Sequence, residues 1–467
     1  MPIFTLALCV ASSFANPMFN DYFQGRTLRF DYHHTGTATE EHFAFDQIVA
    51  DGPWAGSKTR LIDGLRLGKY LFEVRDMASD AILFSQGFCS IYGEWETTAE
   101  AKKGWGVYHE SVRFPWPKGK VKLVLFKRNE KDNTFQALWE HKVDPKSWRS
   151  VQAHAPDFFE SFDVVNHGDP ATKVDIVILG EGYTAQEMAK FRQDANQFAQ
   201  ALWKTEPFAA RKNDFNIRGV EVPAPVSGLH HPHQDVHARS ALSVRYGAFD
   251  SQRYALGFDN KTIRDVAATV PYDFTVILMN DTIYGGGGIY QLYVTAAADN
   301  AFADYVYVHE LGHHLACLAD EYYTSSVAYE QPKALIEPYE LNVTIHTDRD
   351  KIKWADLIDA TTPLPTPWGK LSFDQHSRAT QKQRKALRDA KAPEKAIEDL
   401  FRKQRQWEEH HLATIRHTGK PGLYEGALYQ AKGVYRSAPG CLMFIRTDYF
   451  CPACQHAINL VVDQYVK

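Results

Sequence analysis

The sequence predicts a multidomain α+β chain: an N-terminal antiparallel β-sandwich over residues 16–150, followed by an α/β domain over residues 151–467. Three observations carry that reading. The chain has 467 residues, too many for a single hydrophobic core, so two or three domains are expected. Up to Lys146 the pattern is one of short strands separated by Gly and Pro turns. From Val174 onward apolar strand-like runs alternate with helix-like segments, the signature of an α/β domain.

Residues 1–15 read as an export signal. Ile3 to Ala11 is a short apolar run, and Ser13-Phe14-Ala15 resembles an A-x-A cleavage site, although the basic n-region is missing. The expectation is export, to the periplasm, the cell surface or the medium. In the sandwich region a strand is expected at Tyr70 to Arg75, then a turn rich in Asp and Ser, then a second strand from Ala81. Val121 to Lys127 alternates apolar and basic residues and reads as another strand. The Asp144-Pro145 turn and the polar stretch after it read as a linker. The α/β domain opens with the buried strand "VDIVILG", a Gly turn and a helix beginning near Thr184, where Thr184 and Glu187 form an S/T-x-x-E capping box. "DFNIRGVEVP" and "YDFTVILMND" supply two further strands. Residues 370–420 are highly charged and helical in propensity, an exposed excursion interrupted by Pro393.

The composition narrows the function classes. A net charge of -5 with no Lys/Arg-rich tract argues against a nucleic-acid partner. No stretch after the first 15 residues is long and apolar enough to span a membrane. Beyond Cys9 the chain has Cys89, Cys317, Cys441, Cys451 and Cys454, an odd set too small for a disulfide scaffold. "CLMFIRTDYFCPAC" accommodates a local disulfide from Cys441 to Cys451 or Cys454, the favoured reading. Its alternative is a metal knuckle with His456 as the fourth ligand.

The chemistry concentrates in "YVYVHELGHHLACLADEYY". His309, Glu310 and His313 spell H-E-x-x-H. On a helix, positions i and i+4 lie about 40° apart and about 6 Å along the axis, so both imidazoles reach one ion. Glu310 sits where it can take a proton from a water at that ion. The apolar "YVYV" before the motif places it on a buried helix, where unpartnered His and Glu are costly. His314 falls on another face and reads as structural, and Cys317 as a small buried residue. A third ligand is needed. On an unbroken helix Asp320 would lie about 16.5 Å from His309, so it can serve only if the chain turns back within Leu315 to Ala319, a run with no glycine. Otherwise a distant carboxylate or histidine must supply it. "GLHHPHQDVH", with His230, His231, His233 and His237, reads as a solvent-facing loop, with a second metal site as the alternative.

"HELGHHLACLADEYY" resembles the metal-binding motif of the IgA-peptidase family of zinc metallopeptidases, metallopeptidase family 64, which carries H-E-x-G-H followed by D-E-Y. "VILGEGYTAQEM", "KTEPF", "YGGGGIYQLY", "KIKWADLI", "PLPTP", "GVYRSAPGCLMF" and "FCPAC" recur in the same order in that family. "TLRFDYHHTGTA", "DGPWAG", "LIDGLRLGKYLFEVRD", "GFCSIYGEW" and "RFPWP" resemble its N-terminal domain, so the likeness covers nearly the whole mature chain. The resemblance implies a metzincin-like zinc peptidase domain with one Zn2+ per chain, held by His309, His313 and Asp320. Glu321 is then a supporting residue or the alternative third ligand, and the family typically has Gly where this chain has Cys317. It also implies that Met443 packs beneath the metal. Tyr284 to Tyr293 would form a glycine-lined edge strand that a substrate peptide can join, or else a Gly-rich loop without substrate contact. Tyr322 and Tyr435 are candidate donors to an oxyanion, with nothing local to separate them.

The expected function is an exported zinc endopeptidase acting on a peptide or protein, with Glu310 as general base. The alternative is an exported binding protein that keeps the fold with little or no turnover. Neither fold nor motif fixes the substrate.

Overall fold

The computed structural model of the chain describes residues 18–151, 159–325 and 335–466. The export signal read at residues 1–15 lies outside them.

The N-terminal part runs α1 (Phe19–Tyr22), β1 (Phe23–Gly36), β2 (Glu41–Pro53), β3 (Tyr70–Asp76), β4 (Ile82–Phe88), α2 (Ile91–Trp95), β5 (Gly106–Pro117), β6 (Val121–Arg128), β7 (Phe135–Val143) and β8 (Ser150–Val151). These strands form two sheets, ordered β5-β1-β2-β8 and β4-β3-β6-β7. Every pairing is antiparallel except that of the short β8 with β2. The sheets share one apolar core: Phe30, Val112 and Phe114 of the first bury against Phe72, Val74 and Leu125 of the second. β4 begins one residue later than the sequence suggests because the turn before it is held by Asp76. Its carboxylate accepts from the backbone N–H of Ala78 (3.0 Å) and Ser79 (2.8 Å), and Asp80 takes a left-handed conformation.

The second part continues with β9 (Ser161–Val165), β10 (Val174–Glu181), α3 (Met188–Trp203), β11 (Phe215–Val220), β12 (Val244–Tyr246), β13 (Ala255–Gly257), α4 (Asn260–Ala267), β14 (Phe274–Met279), β15 (Gly286–Ile289) and β16 (Tyr293–Ala297). After these come α5 (Ala303–Ala316), β17 (Val343–Thr344), α6 (Lys370–Asp389), α7 (Glu394–Ala413), β18 (Tyr424–Ala427), β19 (Gln430–Arg436) and α8 (Pro452–Val466). The main sheet has the order β15-β16-β14-β10-β11-β9. Its four inner strands run parallel and its two edge strands antiparallel. Every residue of β10 and β14 is buried, as expected of parallel strands covered on both faces. Ile176, Ile178, Val276 and Leu278 pack against α3 and α5, while Val177, Leu179, Ile277 and Met279 bury against the segment carrying β12, β13 and α4. The capping box at Thr184 is present, with its backbone N–H donating to Glu187 Oε2 at 2.8 Å, although the first turn is 3-10 and α3 itself opens at Met188.

The two parts meet across a polar seam. Asn260 Nδ2 donates to Ser111 Oγ at 2.8 Å, the Tyr272 hydroxyl donates to Asp51 at 2.9 Å, and Arg29 pairs with Asp265 at 2.8 Å. A cavity of about 110 Å³ lies along this seam, lined by residues that include Phe72, Arg113, Tyr290 and Tyr465 but none of the H-E-x-x-H motif.

The charged segment forms the helices α6 and α7, with Pro393 at the N-cap of the second. It is not the exposed excursion that its composition suggests. Phe373 and Thr380 on α6, and Ile397, Phe401 and Leu412 on α7, are buried, because each helix gathers its few apolar residues on one face and turns most of its charges outward. Among the described residues no helix is long and apolar enough to cross a membrane.

Candidate active site

Helix α5 carries the H-E-x-x-H motif through the interior. Val306, Tyr307, Val308, His309, Leu311, Gly312, His314, Leu315 and Ala316 are all buried, as for a helix enclosed on several sides. The glycine run explains how closely it approaches the sheet. A Cβ on Gly288 would collide with the carbonyl oxygen of Glu310, and one on Gly286 would lie 3.0 Å from Val306 Cγ1. Gly285 and Gly287 turn the other way, against the rings of Tyr246 and Tyr254. "YGGGG" does form an edge strand, but helix and ring packing account for its glycines, and the Gly286 N–H already donates to the Arg253 carbonyl at 3.2 Å.

The helix stops at Cys317, which adopts φ 51° and ψ 38°. Its N–H donates to the His313 carbonyl at 3.0 Å, and the Leu318 N–H to the Gly312 carbonyl at 3.2 Å. This is a left-handed cap made without glycine, at a cost of about 1–2 kcal/mol. The chain then folds back. The Ala319 N–H donates to Asn342 Oδ1 at 2.9 Å and the Glu321 N–H to the Met443 carbonyl at 2.8 Å. Asp320, far from His309 on an unbroken helix, is thereby returned to it.

Three atoms converge. Asp320 Oδ1 lies 3.1 Å from His309 Nε2 and 3.3 Å from His313 Nε2, and the two Nε2 atoms are 3.2 Å apart. The other ring nitrogens are fixed by carbonyls: His309 Nδ1 donates to Leu442 O at 3.0 Å, and His313 Nδ1 to Leu318 O at 2.6 Å. A carbonyl only accepts, so each Nδ1 carries the hydrogen and each Nε2 of a neutral ring presents a lone pair. Asp320 Oδ1, buried, has no hydrogen-bond partner, while Oδ2 accepts from the Tyr429 hydroxyl. With bonds of about 2.0–2.1 Å, neighbouring ligand atoms of a tetrahedral ion sit about 3.3 Å apart, so this donor set fits one small cation. Without a cation, a proton compensates. Burial alone would lower the His313 imidazole, but the Asp320 charge beside it outweighs that and raises it to about 9. Burial would likewise raise Asp320, yet His313 and His309 hold it well below the usual carboxylate range.

Glu310 is half-buried, with its carboxylate within 4.8 Å of a ring nitrogen of both His309 and His313, and it lines a cleft of about 50 Å³. Met443 is buried beneath the helix, in the same turn whose Leu442 carbonyl orients His309. Glu321 points away from the histidines, its Oε1 lying 3.2 Å from Cys454 Sγ. His314 ties helix to sheet, its Nδ1 donating to Ile289 O at 2.8 Å and its Nε2 accepting from the Thr275 N–H at 3.2 Å. Burial keeps it uncharged, lowering it to about 3. The histidines of "GLHHPHQDVH" do not converge: His231, His233 and His237 each face a different carboxylate, Asp281, Asp250 and Asp235. Of the two tyrosines, Tyr322 lines the cleft and accepts from Arg253 Nη2 at 3.2 Å, whereas Tyr435 lies on β19, paired with Thr344.

Sequence reasoning missed the cleft's other groups. Arg253, Arg384 and Arg446 all face it, together with Glu408. Burial, with Arg253 and Arg446 nearby, lowers Arg384 to about 9, and burial raises Glu408 to about 7. These residues come from separate elements with no local motif. The only available signal was the sparse apolar face of α6 and α7, which implied that these helices cover something.

Comparison with protein families places the chain among the peptidases. A family profile described as IgA Peptidase M64 matches residues 162–462, and one described as Peptidase M64 N-terminus matches residues 18–140. The two matches span nearly all of the chain, and the protein belongs to peptidase family M64, a metallopeptidase family. No curated protein matches it.

Proposed function

We propose that this peptidase is an exported, zinc-dependent, metzincin-like endopeptidase in which His309, His313 and Asp320 hold one Zn2+ and Glu310 is the general base. The observation that carries the reading is the convergence of Asp320 Oδ1 and two Nε2 atoms at 3.1–3.3 Å, each ring fixed by a carbonyl behind it. The metzincin-like architecture is supported by the antiparallel edge strand β15 ahead of the motif helix, the turned-back Asp320 and the methionine beneath the histidines. Export rests on residues 1–15 alone.

A Zn2+ ion at this point supplies a Lewis acid for the scissile carbonyl. Glu310 takes a proton from the attacking water and passes it to the leaving amine. Leu442 and Leu318 hold the imidazoles in one tautomer, and Tyr429 holds Asp320 by its far oxygen. Tyr322 and Arg253 bring hydrogen-bond donors to the same cleft.

Glu310→Gln tests the assignment. Zinc content should stay at the wild-type level while peptide hydrolysis falls by about 10²–10⁴-fold, the usual contribution of a positioned base. Hydrolysis unchanged in this variant removes Glu310 from the mechanism. A wild-type protein that holds zinc and binds peptides but cleaves none of a broad panel is instead the binding protein.

A further inference from the structure

We propose that Glu321, Cys441, Cys451 and Cys454 form a second, closed metal site, structural in role and separate from the histidine site. All five cysteines among the described residues are free, which removes the disulfide expected in "CLMFIRTDYFCPAC". Three of them converge instead. One ligand atom from each of the three, with a Glu321 oxygen, lies within 4.8 Å of the others, and all four residues are buried. His456, the fourth ligand considered from sequence, is exposed at the surface of α8, and Glu321 occupies the place assigned to it.

The spacing is that of a metal cage and not of a sulfur–sulfur bond. Cys441 Sγ and Cys454 Sγ are 3.7 Å apart, whereas a disulfide needs about 2.05 Å. Two thiolates on one tetrahedral Zn2+, each bonded at about 2.3 Å, stand about 3.8 Å apart. Glu321 Oε1 lies 3.2 Å from Cys454 Sγ and 3.5 Å from Cys451 Sγ, against about 3.5 Å for a thiolate and a carboxylate sharing that ion. A second observation points independently to a bound cation. Glu321 Oε2 is fully buried and has no hydrogen-bond partner, which an ionised carboxylate in an apolar interior tolerates only beside compensating charge.

Hydrogen-bond donors reach two of the three sulfurs. Cys441 Sγ accepts from the Cys451 N–H at 3.2 Å and the Met443 N–H at 3.5 Å, and Cys451 Sγ accepts from the Ser437 hydroxyl at 3.0 Å. Asn342 Nδ2 donates to Glu321 Oε1 at 3.1 Å, orienting the carboxylate. The buried Arg436 guanidinium lies close enough to Glu321, Cys441 and Cys451 to interact with them electrostatically, and it offsets part of the negative charge that one divalent ion leaves over. Cys451 and Cys454 form a C-x-x-C pair at the start of α8, a usual zinc-knuckle spacing. Zn2+ is the ion best suited to sulfur-rich tetrahedral ligation. Its position ties the loop carrying Asp320 to the Met443 turn and to α8, so the structural ion would set where the third catalytic ligand sits.

Metal counting on full-length protein tests the site. The double variant His309→Ala/His313→Ala removes the histidine site alone. Wild type is expected to hold about two zinc ions per chain and the double variant about one, while Cys441→Ser/Cys454→Ser in the wild-type background removes the other. Loaded with cobalt(II), the histidine variant should show the near-ultraviolet thiolate-to-cobalt absorption that a site of two imidazoles and a carboxylate cannot give. A histidine variant that binds no metal, a cobalt form without that absorption, or a disulfide at Cys441 found by non-reducing peptide mapping each overturns the proposal. The histidine variant decides the matter even if the cysteine variants fail to fold. One zinc in wild type, retained in that variant with the thiolate band, would uphold the cysteine site and reject the histidine site.

Discussion

The replacement Gly288→Ala isolates the contact on which the active-site helix depends. Gly288 is not in the left-handed region, so alanine carries no backbone strain there, and the whole effect comes from space. The new methyl group would collide with the Glu310 carbonyl oxygen and lie 3.0 Å and 3.2 Å from the carbonyl carbon and Cα of the same residue. All three are main-chain atoms, so no side chain can swing aside. β15 and α5 must separate by about 1 Å to restore ordinary contact. Overpacking of this kind costs about 1–3 kcal/mol, a fall of several degrees in Tm. The displaced residue is Glu310, the proposed general base, and in that role a misplacement of about 1 Å would lower kcat/KM by about 10²-fold. The assay is a thermal melt and peptide hydrolysis beside Gly64→Ala, a site where a Cβ meets nothing within 4 Å. Equal Tm and equal kcat/KM for the two variants would refute the claim that the helix seat requires glycine.

Asp320→Ala should abolish zinc binding at the histidine site, whereas Glu321→Ala should leave that zinc in place, as read by metal analysis in the His309/His313-intact protein with the cysteine pair replaced by serine. Arg384→Met should raise KM about tenfold for peptides with Asp or Glu in the cleft and leave neutral peptides unaffected, since a charge-assisted hydrogen bond contributes about 1.5–3 kcal/mol; equal KM changes for both sets would sink the role. Glu181 is buried and burial raises it to about 7. With the folded value above the unfolded one, the protonated form stabilises the fold at low pH, and that stability is lost as pH rises from about 4.5 to about 7, about 3 kcal/mol in all. Urea unfolding of wild type and Glu181→Gln at pH 5 and pH 8 measures it: the variant should lack the decline.

What was legible in the sequence was what local periodicity encodes. The strand at residues 121–128, the Thr184 capping box and the shared face of His309 and His313 each depend on spacings of four residues or fewer, and the structure has all three. The return of Asp320 depended on a helix ending without its usual glycine, a conformational cost that composition conceals and that the buried packing of Cys317 sustains. The cysteines misled because spacing alone cannot tell a disulfide from a cage. The deciding residue, Glu321, is more than a hundred positions away in the chain. The arginines of the cleft were invisible for the same reason: α6 and α7 announce their charge, and only packing shows which charges turn inward.

The carbonyl of Leu442 that holds the His309 ring has a consequence for the order in which the enzyme matures. His313 is set by Leu318, five residues on, and so can be oriented as soon as the helix and its turn form. The carbonyl that fixes His309 comes from a residue 133 positions later. A nascent chain that has emerged only to residue 440 already contains the whole H-E-x-x-H helix and Asp320, but its His309 Nδ1 has only the Tyr305 hydroxyl, at 3.2 Å, and lacks the Leu442 carbonyl. At the proposed zinc site, tight ion capture is thereby expected only once the segment carrying Leu442 docks. Such a truncated chain is expected to bind zinc weakly, which equilibrium dialysis against a graded zinc buffer would reveal. A growing polypeptide built this way would complete the proposed zinc site only after residue 442 has emerged.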